Sequence, residues 1–423
     1  MYGLPFSALQ SRNNRKDTYS RRNFIKLTGI GLGSGVLGLS QIACSGGKKL
    51  SQPAIQGFED TGAETGTKVW QPISDRKIRV GLIGYGVCRF AAQFGFQNHP
   101  NVEVVAASDL YPDRCAELAK ITGAKKTYPS LEELIKDDSI EAVFVATDAP
   151  SHARHCIEAL KHGKYVASAV PAVFGSLEEA HELFEAVKKY GINKYMMFET
   201  SIFRENLYAM RQLYQSGCLG NFVYAEGEYW HYSPTPINSF NGWRVGLPPQ
   251  YYPTHSNAYY VGVTGGSFTE VSCLGTTSVI SHLKPENNIY NNSFGIETAF
   301  LKTNDGGHAR MSVSWETPGS GFGSETGRIR GTKGAFYEKY EGLEDNLPDI
   351  ERPPIPPGMP KSGHGDSHGR LTDEFISSIL ENRKPLINIE MSLNMTVSGI
   401  IAHQSALRDG EWMKIPQYKL SLP

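Results

Sequence analysis

Between Arg76 and Met197 the chain alternates short runs of β-branched and apolar residues with stretches of helical periodicity. The apolar runs are Ile78–Ile83, Val102–Ala107, Ala142–Ala146, Tyr165–Ala167 and Tyr195–Phe198. They are nearly continuous rather than alternating, as strands covered on both faces require. Ser130-Leu131-Glu132-Glu133 and Ser176-Leu177-Glu178-Glu179 each set a hydroxyl three residues before a glutamate. That spacing starts a helix, because the hydroxyl and the carboxylate satisfy the free N–H groups of the first turn; the second of these helices is predicted over Leu177–Tyr190. Strands and helices in alternation predict a doubly wound parallel sheet over residues 76–198. After Glu199 the texture changes to longer alternating segments, Val223–Tyr232, Gly295–Lys302 and His308–Glu316, the last two joined by Asn304-Asp305-Gly306-Gly307 as a hairpin. Residues 199–423 are therefore expected to form an α+β domain on a mostly antiparallel open sheet, the whole chain being α/β. Pro353-Pro354-Ile355-Pro356-Pro357 can continue neither helix nor central strand and predicts a surface connection. Two helices near Leu371–Leu380 and Met391–Leu407 close the pattern.

The N-terminal segment reads as an address. Ser20-Arg21-Arg22-Asn23-Phe24-Ile25-Lys26 has the twin-arginine form, and the apolar stretch Leu27–Leu39 behind it is too short for a stable membrane span. Residues 1–44 are expected to be an export signal and residues 45–75 a linker, placing the mature protein in the periplasm. Cys44, after Ile42-Ala43, is a candidate acylation site and hence a candidate lipid anchor. Twin-arginine export moves folded proteins, which suits a cofactor inserted before export.

The formal net charge is −1, so no long-range field favours nucleic acid. With 21 tyrosines, each an apolar face with a polar tip, the composition suits a weakly charged small ligand such as a carbohydrate. Assembly as a homo-oligomer is compatible with the sequence. Beyond Cys44 the cysteines are Cys88, Cys115, Cys156, Cys218 and Cys273, with no paired spacing that would suggest a disulfide framework or zinc. His364-Gly365-Asp366-Ser367-His368 has metal-like spacing but no third cluster beside it, and no metal is assigned.

The first strand runs into Gly84-Tyr85-Gly86-Val87-Cys88-Arg89. Gly84 would permit a tight turn, and Gly86 would let the backbone approach a pyrophosphate lying against the following helix start. Arg89 stands where a third glycine is usual. Asp109, at the end of the second strand, is placed to accept ribose hydroxyls and repel a 2′-phosphate, which selects NAD over NADP. Thr147, Ala149 and His152 leave the carboxyl end of a later strand, the edge at which open sheets bind ligands. Together these residues predict a dinucleotide-binding Rossmann domain with Gly84, Gly86, Val87 and Cys88 along the phosphates.

This arrangement resembles the Gfo/Idh/MocA oxidoreductases. The likeness is carried by Gly84-Tyr85-Gly86, Asp109, the Thr147–His152 loop, Gly163-Lys164-Tyr165-Val166, Ala169-Val170-Pro171 and the antiparallel second domain. Where that family commonly has Glu-Lys-Pro with a catalytic lysine, this chain has Ala169-Val170-Pro171. The family's Asp-x-Gly-x-His motif falls on Tyr251-Tyr252-Pro253-Thr254-His255, which keeps the histidine alone. The Tyr-Pro-Thr-His string, Glu226–His231 and Trp243-Arg244 are similar to the branch that includes glycoside hydrolase family 109, whose members oxidise a sugar ring with bound NAD, eliminate the aglycone and reduce the ring again. That resemblance implies Ala169, Val170 and Thr200 against the cofactor, and Tyr229, Arg244, Tyr251, Thr254 and His255 against a sugar. A further tyrosine expected before Gly331 is absent, Phe322-Gly323 occupying that stretch. Removing hydride from a carbinol carbon also requires a base for the hydroxyl proton. His255 is the expected general base, because imidazole accepts a proton near neutrality, with Tyr251 and Tyr229 orienting the ring or relaying the proton. The predicted activity is NAD-dependent oxidation of a ring hydroxyl, at carbon 3 by the resemblance, with a redox-neutral glycosidase as the alternative and a non-catalytic sugar-binding protein as the third reading.

Overall fold

The computed structural model describes residues 68–318 and 325–420. The twin-arginine segment, Cys44 and residues up to 67 of the linker lie outside the described residues, as does Phe322-Gly323.

Six parallel strands form the first sheet: β1 (Ile78–Ile83), β2 (Val102–Ser108), β3 (Lys126–Tyr128), β4 (Ala142–Val145), β5 (Tyr165–Ser168) and β6 (Tyr195–Met197). Their order is β3-β2-β1-β4-β5-β6, so the direction of winding reverses beside β1 and opens a crevice at the strands' carboxyl ends. All of β4 is buried, as a strand covered on both faces must be. Strand β3 was not legible in advance because it is three residues long, polar and largely exposed at the sheet edge. Both capping serines act as expected. Ser130 accepts from the Glu133 N–H at the start of a short helix, Leu131–Leu134, and Ser176 accepts from the Glu179 N–H at the start of Leu177–Tyr190.

The second sheet has eight strands: β7 (Phe222–Trp230), β8 (Phe268–Thr277), β9 (Phe294–Thr303), β10 (His308–Ser314), β11 (Glu325–Gly331), β12 (Gly334–Phe336), β13 (Tyr340–Gly342) and β14 (Met413–Lys414). The predicted hairpin is β9–β10, closed by the Thr303 N–H on the Gly307 carbonyl. Pairing is antiparallel except between β7 and β10, which run parallel and bring Tyr229 level with Val313. Strand β8 carries Ser-Cys-Leu-Gly-Thr-Thr with no clean alternation, which is why the pattern of hydrophobic positions missed it.

A helix, Thr254–Thr264, lies against β7 and β11 and is buried along almost its whole length. The final two helices are His368–Leu380 and Ile389–Ala406, the latter capped by the Asn388 side chain on the Glu390 and Met391 N–H groups. The first of them returns to the parallel sheet. Phe375 packs on Phe96 and Phe198, and Thr372 bonds the Phe94 carbonyl. Phe94, Phe96, Phe144 and Phe198 complete an aromatic cluster with ring separations of 5.0–5.8 Å, each ring contributing about 1.5–3 kcal/mol by burial. The C-terminal segment thus pins the nucleotide-type sheet to the second one.

Candidate active site

Gly84 follows β1 at φ 91°, and a Cβ there would stand 2.4 Å from the Ala146 carbonyl oxygen. Only glycine passes this strand end without strain. Around Gly86 the space that a Cβ would enter is open, so the backbone can be approached by a ligand. Arg89, in place of a third glycine, takes the left-handed conformation (φ 49°, ψ 28°) that glycine normally supplies, at a cost of about 1–2 kcal/mol. Its guanidinium lies 5.5 Å from the Tyr85 ring. The helix that follows is only Phe90–Gln93, so a phosphate here would be met by turn amides rather than by a long helix dipole. Asp109 accepts from the Tyr85 N–H at 2.6 Å and from the Tyr111 N–H at 2.9 Å, one bond to each oxygen. It braces the glycine turn and keeps a lone pair on each oxygen for a ribose.

Other predicted cofactor positions gather at the same edge. Ala149, Ala169 and Val170 are buried at strand ends, and Val87 is 58% exposed at the turn. The Thr147 hydroxyl lies 2.9 Å from His155 Nδ1. His152, expected against the cofactor, is buried with Nδ1 2.8 Å from the Pro171 carbonyl and Nε2 3.2 Å from the Thr147 carbonyl. Burial lowers its pKa and favours the neutral ring, whose single N–H donates to one of these two carbonyls. Thr200, beyond β6, buries its hydroxyl with no hydrogen-bond partner among the described residues. At the carboxyl edge of the parallel sheet, an orphaned buried hydroxyl after β6, an open glycine turn after β1 and a half-engaged Asp109 after β2 are what a bound dinucleotide would complete.

Glu199 lies at the carboxyl end of β6, and His255 in the first turn of Thr254–Thr264 faces it. The His255 Nδ1 lies 2.7 Å from Glu199 Oε1, an oxygen that also accepts the Ser201 hydroxyl at 2.6 Å and the Ser201 N–H at 2.9 Å. Both side chains are buried, Glu199 fully. Burial alone would lower the His255 pKa, but the charge and hydrogen bond of Glu199 outweigh it and the net shift is upward. Burial likewise pushes Glu199 up, and the His255 charge with the Ser201 bonds reverses this to a carboxylate held below its ordinary value.

A second pair stands beside the first. His364 Nδ1 lies 2.6 Å from Glu325 Oε2, and the His364 ring is near-parallel to that of His255, 12° apart in plane and 4.9 Å between centres. Arg204 Nη1 is 3.5 Å from the same Glu325 oxygen. His255, Glu325 and His364 bring nitrogen and oxygen atoms of ligand type within 4.8 Å of one another, a third-residue cluster that the spacing of His364 and His368 did not disclose. His364 hydrogen-bonds Glu325, and the Arg204 charge stands beside them. His368 goes elsewhere, into the core 4.1 Å from the Phe94 ring.

Above these pairs a small pocket is lined by Tyr229, His231, Arg244, Leu247, Tyr252 and Trp315, among others. The Tyr229 ring lies 4.5 Å from that of His255, and Tyr252 lies 5.6 Å from it. Burial holds Tyr229 well above the usual phenol range and pushes Tyr252 up to about 12, so both hydroxyls stay protonated. Arg244 stacks its guanidinium 4.2 Å over Trp243 and reaches Cys88 Sγ at 3.7 Å, joining the pocket to the glycine turn. Thr254 buries a hydroxyl that has no partner among the described residues. Tyr251 is not brought to His255. It ends a 3₁₀ turn, Pro249–Tyr251, after which the backbone turns so that the two tyrosines diverge, and its ring packs against Phe174 and His403. Tyr252 takes the place expected of it.

Glu199, Ser201, Tyr252, Trp315, Glu325 and His364 complete the cluster without having been singled out for it. Glu199 had a visible signal, a carboxylate directly after a buried parallel strand. Glu325 had none.

The fold and this edge define an NAD-binding Rossmann domain coupled to a sheet that supplies the remaining side chains. Residues 78–198 match the model of the Gfo/Idh/MocA oxidoreductase family, NAD-binding Rossmann fold. A glycosyl hydrolase family 109 protein of Bacteroides fragilis is 30% identical over 167 residues, covering 36% of this chain and 35% of that protein. The matched stretch is thus about a third of the curated relative's length. An NAD-binding oxidoreductase from Klebsiella pneumoniae aligns over 81% of this chain and 100% of its own, with TM-score 0.67 and 17% identity. Levoglucosan dehydrogenase in complex with NADH and levoglucosan aligns over 81% and 100%, with TM-score 0.63 and 18% identity. These structural likenesses extend the shared fold across the second sheet.

Proposed function

We propose that this protein is an NAD-dependent carbohydrate oxidoreductase that oxidises a ring hydroxyl of a sugar or glycoside. The observation that carries the reading is the buried Glu199–His255 pair at the carboxyl edge of the nucleotide-binding sheet, directly beneath an aromatic pocket. The relatives named for glycoside hydrolysis and a solved neighbour holding NADH and levoglucosan support it.

NAD, when bound along Gly84, Gly86 and Asp109, supplies the hydride acceptor. The chain's own residues must bind the sugar, hold it and take the proton. Trp315 and Tyr252 offer apolar faces, Tyr252 a hydroxyl as well, and Arg244 offers a planar fork of donors to sugar oxygens. Glu199 fixes the tautomer of His255 by accepting from Nδ1–H, which leaves Nε2 as the base. The same carboxylate stabilises the imidazolium that forms, replacing the lysine absent at Val170 as the proton-handling group. Tyr229 and Tyr252, held neutral, donate to the ring oxygens.

Carbon 3 is the proposed position of oxidation, because a ketone there acidifies the adjacent carbon and opens a route to elimination. A redox-neutral glycosidase would use that route and return the hydride. We place the protein in the periplasm by twin-arginine export, where a cofactor that stays bound is the one available. The test is to release the nucleotide from purified protein for mass analysis and to incubate the protein with nitrophenyl glycosides in deuterated water. A keto-sugar with reduced nicotinamide supports oxidation; aglycone with ring deuterium and no net reduction supports the second route; no nucleotide at all defeats both.

A further inference from the structure

His255 is 3% exposed, packed beneath Tyr229 and Tyr252, yet every net oxidation leaves one proton on it. A base so placed stops after a single turnover unless that proton has an exit. We propose that Glu325 and His364 form the exit, a relay that carries the proton from His255 to solvent. This inference rests on the oxidoreductase reading and assigns residues that the reading itself does not require.

The geometry supports each leg. Glu325 is fully buried between the histidines, its Oε2 bonded to His364 Nδ1 at 2.6 Å and its Oε1 without a partner among the described residues. The donor atoms of His255, Glu325 and His364 lie within 4.8 Å of one another, within reach of a direct or single-water transfer. The His364 side chain is 35% exposed where that of His255 is 4% exposed, so the gradient of solvent access runs outward. Imidazole can accept at one ring nitrogen and release at the other, which suits a residue with Nδ1 on a buried carboxylate and its far side towards water. Arg204, at 3.5 Å, keeps Glu325 anionic between transfers so that it passes the proton on. The groups facing the relay are His255, Glu199, Arg204, Tyr229 and Tyr259, with His231 and His368 near His364, and Glu199 Oε1 is already committed to His255 and Ser201. The hydroxyl proton moves to His255 Nε2, then through Glu325 to His364, then to a solvent base, while the hydride goes to the nicotinamide, which a quinone-type dye added as two-electron acceptor reoxidises before the next turnover.

Two variants test it, His364→Phe and Glu325→Gln. In the holoprotein with a 4-nitrophenyl glucoside and a quinone-type acceptor, multiple turnover in dilute buffer is expected to fall by roughly tenfold or more relative to each variant's own single-turnover nicotinamide reduction. Added free imidazole is expected to restore the His364→Phe rate saturably. Independently of activity, the His255 ring N–H, followed by nitrogen-15 imidazole NMR in protein without substrate, is expected to exchange with solvent at least about tenfold more slowly in both variants. Unchanged exchange, or a loss of turnover that imidazole does not rescue, overturns the relay. Absence of nicotinamide reduction in wild type would instead defeat the oxidoreductase reading, leaving the exchange measurement to decide the relay alone.

Discussion

Replacing Glu199 by glutamine removes one charge and keeps the shape, which isolates what the carboxylate does for His255. The wild-type pair sits fully out of water with a 2.7 Å contact, so solvent screening does not dilute it. Losing one member of such a pair costs about 3–5 kcal/mol if the other stays charged. His255 can avoid most of that by giving up its proton, since about 1.4 kcal/mol corresponds to one pKa unit and burial already disfavours the imidazolium. The variant's histidine is therefore expected to titrate below the wild-type one. Two readouts follow. In stability, the raised His255 contributes fully below its unfolded pKa of about 6.5 and loses its contribution as pH climbs through the folded value. The depressed Glu199 contributes above its unfolded pKa of about 4.3 and loses its contribution as pH falls through the folded value. The difference between wild type and variant in urea unfolding should consequently be largest between about pH 4.3 and 6.5 and shrink towards pH 9. In kinetics, the acid limb of kcat/KM, where the base is lost to protonation, should move to lower pH in the variant. The plateau should drop by up to about 10⁴-fold, as when an amide replaces the carboxylate that sets a catalytic histidine's tautomer. A stability difference that is flat from pH 5 to 9, or an acid limb that stays in place, refutes the assignment of His255 and Glu199 as an acid–base pair.

Gly84→Ala should lower the midpoint of thermal unfolding and abolish retained nucleotide, because its Cβ would meet the Ala146 carbonyl and its φ is 91°; the strain alone is worth about 1–3 kcal/mol, read by calorimetry. Thr200→Val and Thr254→Val should leave the unliganded protein as stable or slightly more so, since each removes a buried hydroxyl with no partner among the described residues. The first should weaken nucleotide retention and the second raise KM for the sugar, each by about 1–3 kcal/mol, measured by nucleotide release and steady-state kinetics. Tyr251→Phe should be nearly silent in turnover, its ring lying among Phe174 and His403, whereas Tyr252→Phe should raise KM, its ring lying over His255 and beside Arg244.

The parallel half of the molecule was legible because its strands are buried on both faces. A strand with that environment must be apolar throughout, and β1, β2, β4, β5 and β6 announce themselves in composition. The glycine turn was legible for a related reason: Gly84 sits where a side chain has no room, and backbone constraint leaves a residue-type signature. The second sheet was less so. Its longer strands face protein on one side only, and β8 and β11 carry glycine, serine and threonine where alternation should be, so local pattern could not separate them from loops.

The site shows the limit most clearly. Thr254-His255 could be named from its neighbours in the chain, and Glu199 from its place after a strand. Nothing near Glu325 marks it, and His364 is marked only by its spacing to His368, which the fold sends elsewhere, because their meaning is pairwise. A buried carboxylate is stable only with a counter-charge and hydrogen bonds, and here those come from Arg204 and His364, brought together by a strand, a 3₁₀ segment and a proline-bounded loop. The same requirement explains the difference between Tyr251 and Tyr252. Adjacent residues look equivalent in sequence, but one turn of backbone sends the first to a structural aromatic cluster and the second to the base. Sequence pattern reports the environment of a residue's own element; which distant side chain completes a buried charge is decided only when the two sheets close on each other. The chemistry of this protein resides in that closure, with the nucleotide edge supplied by the first sheet, the proton-handling histidines by the segments that cross to the second, and Arg244 tying the pocket back to Cys88 at the glycine turn.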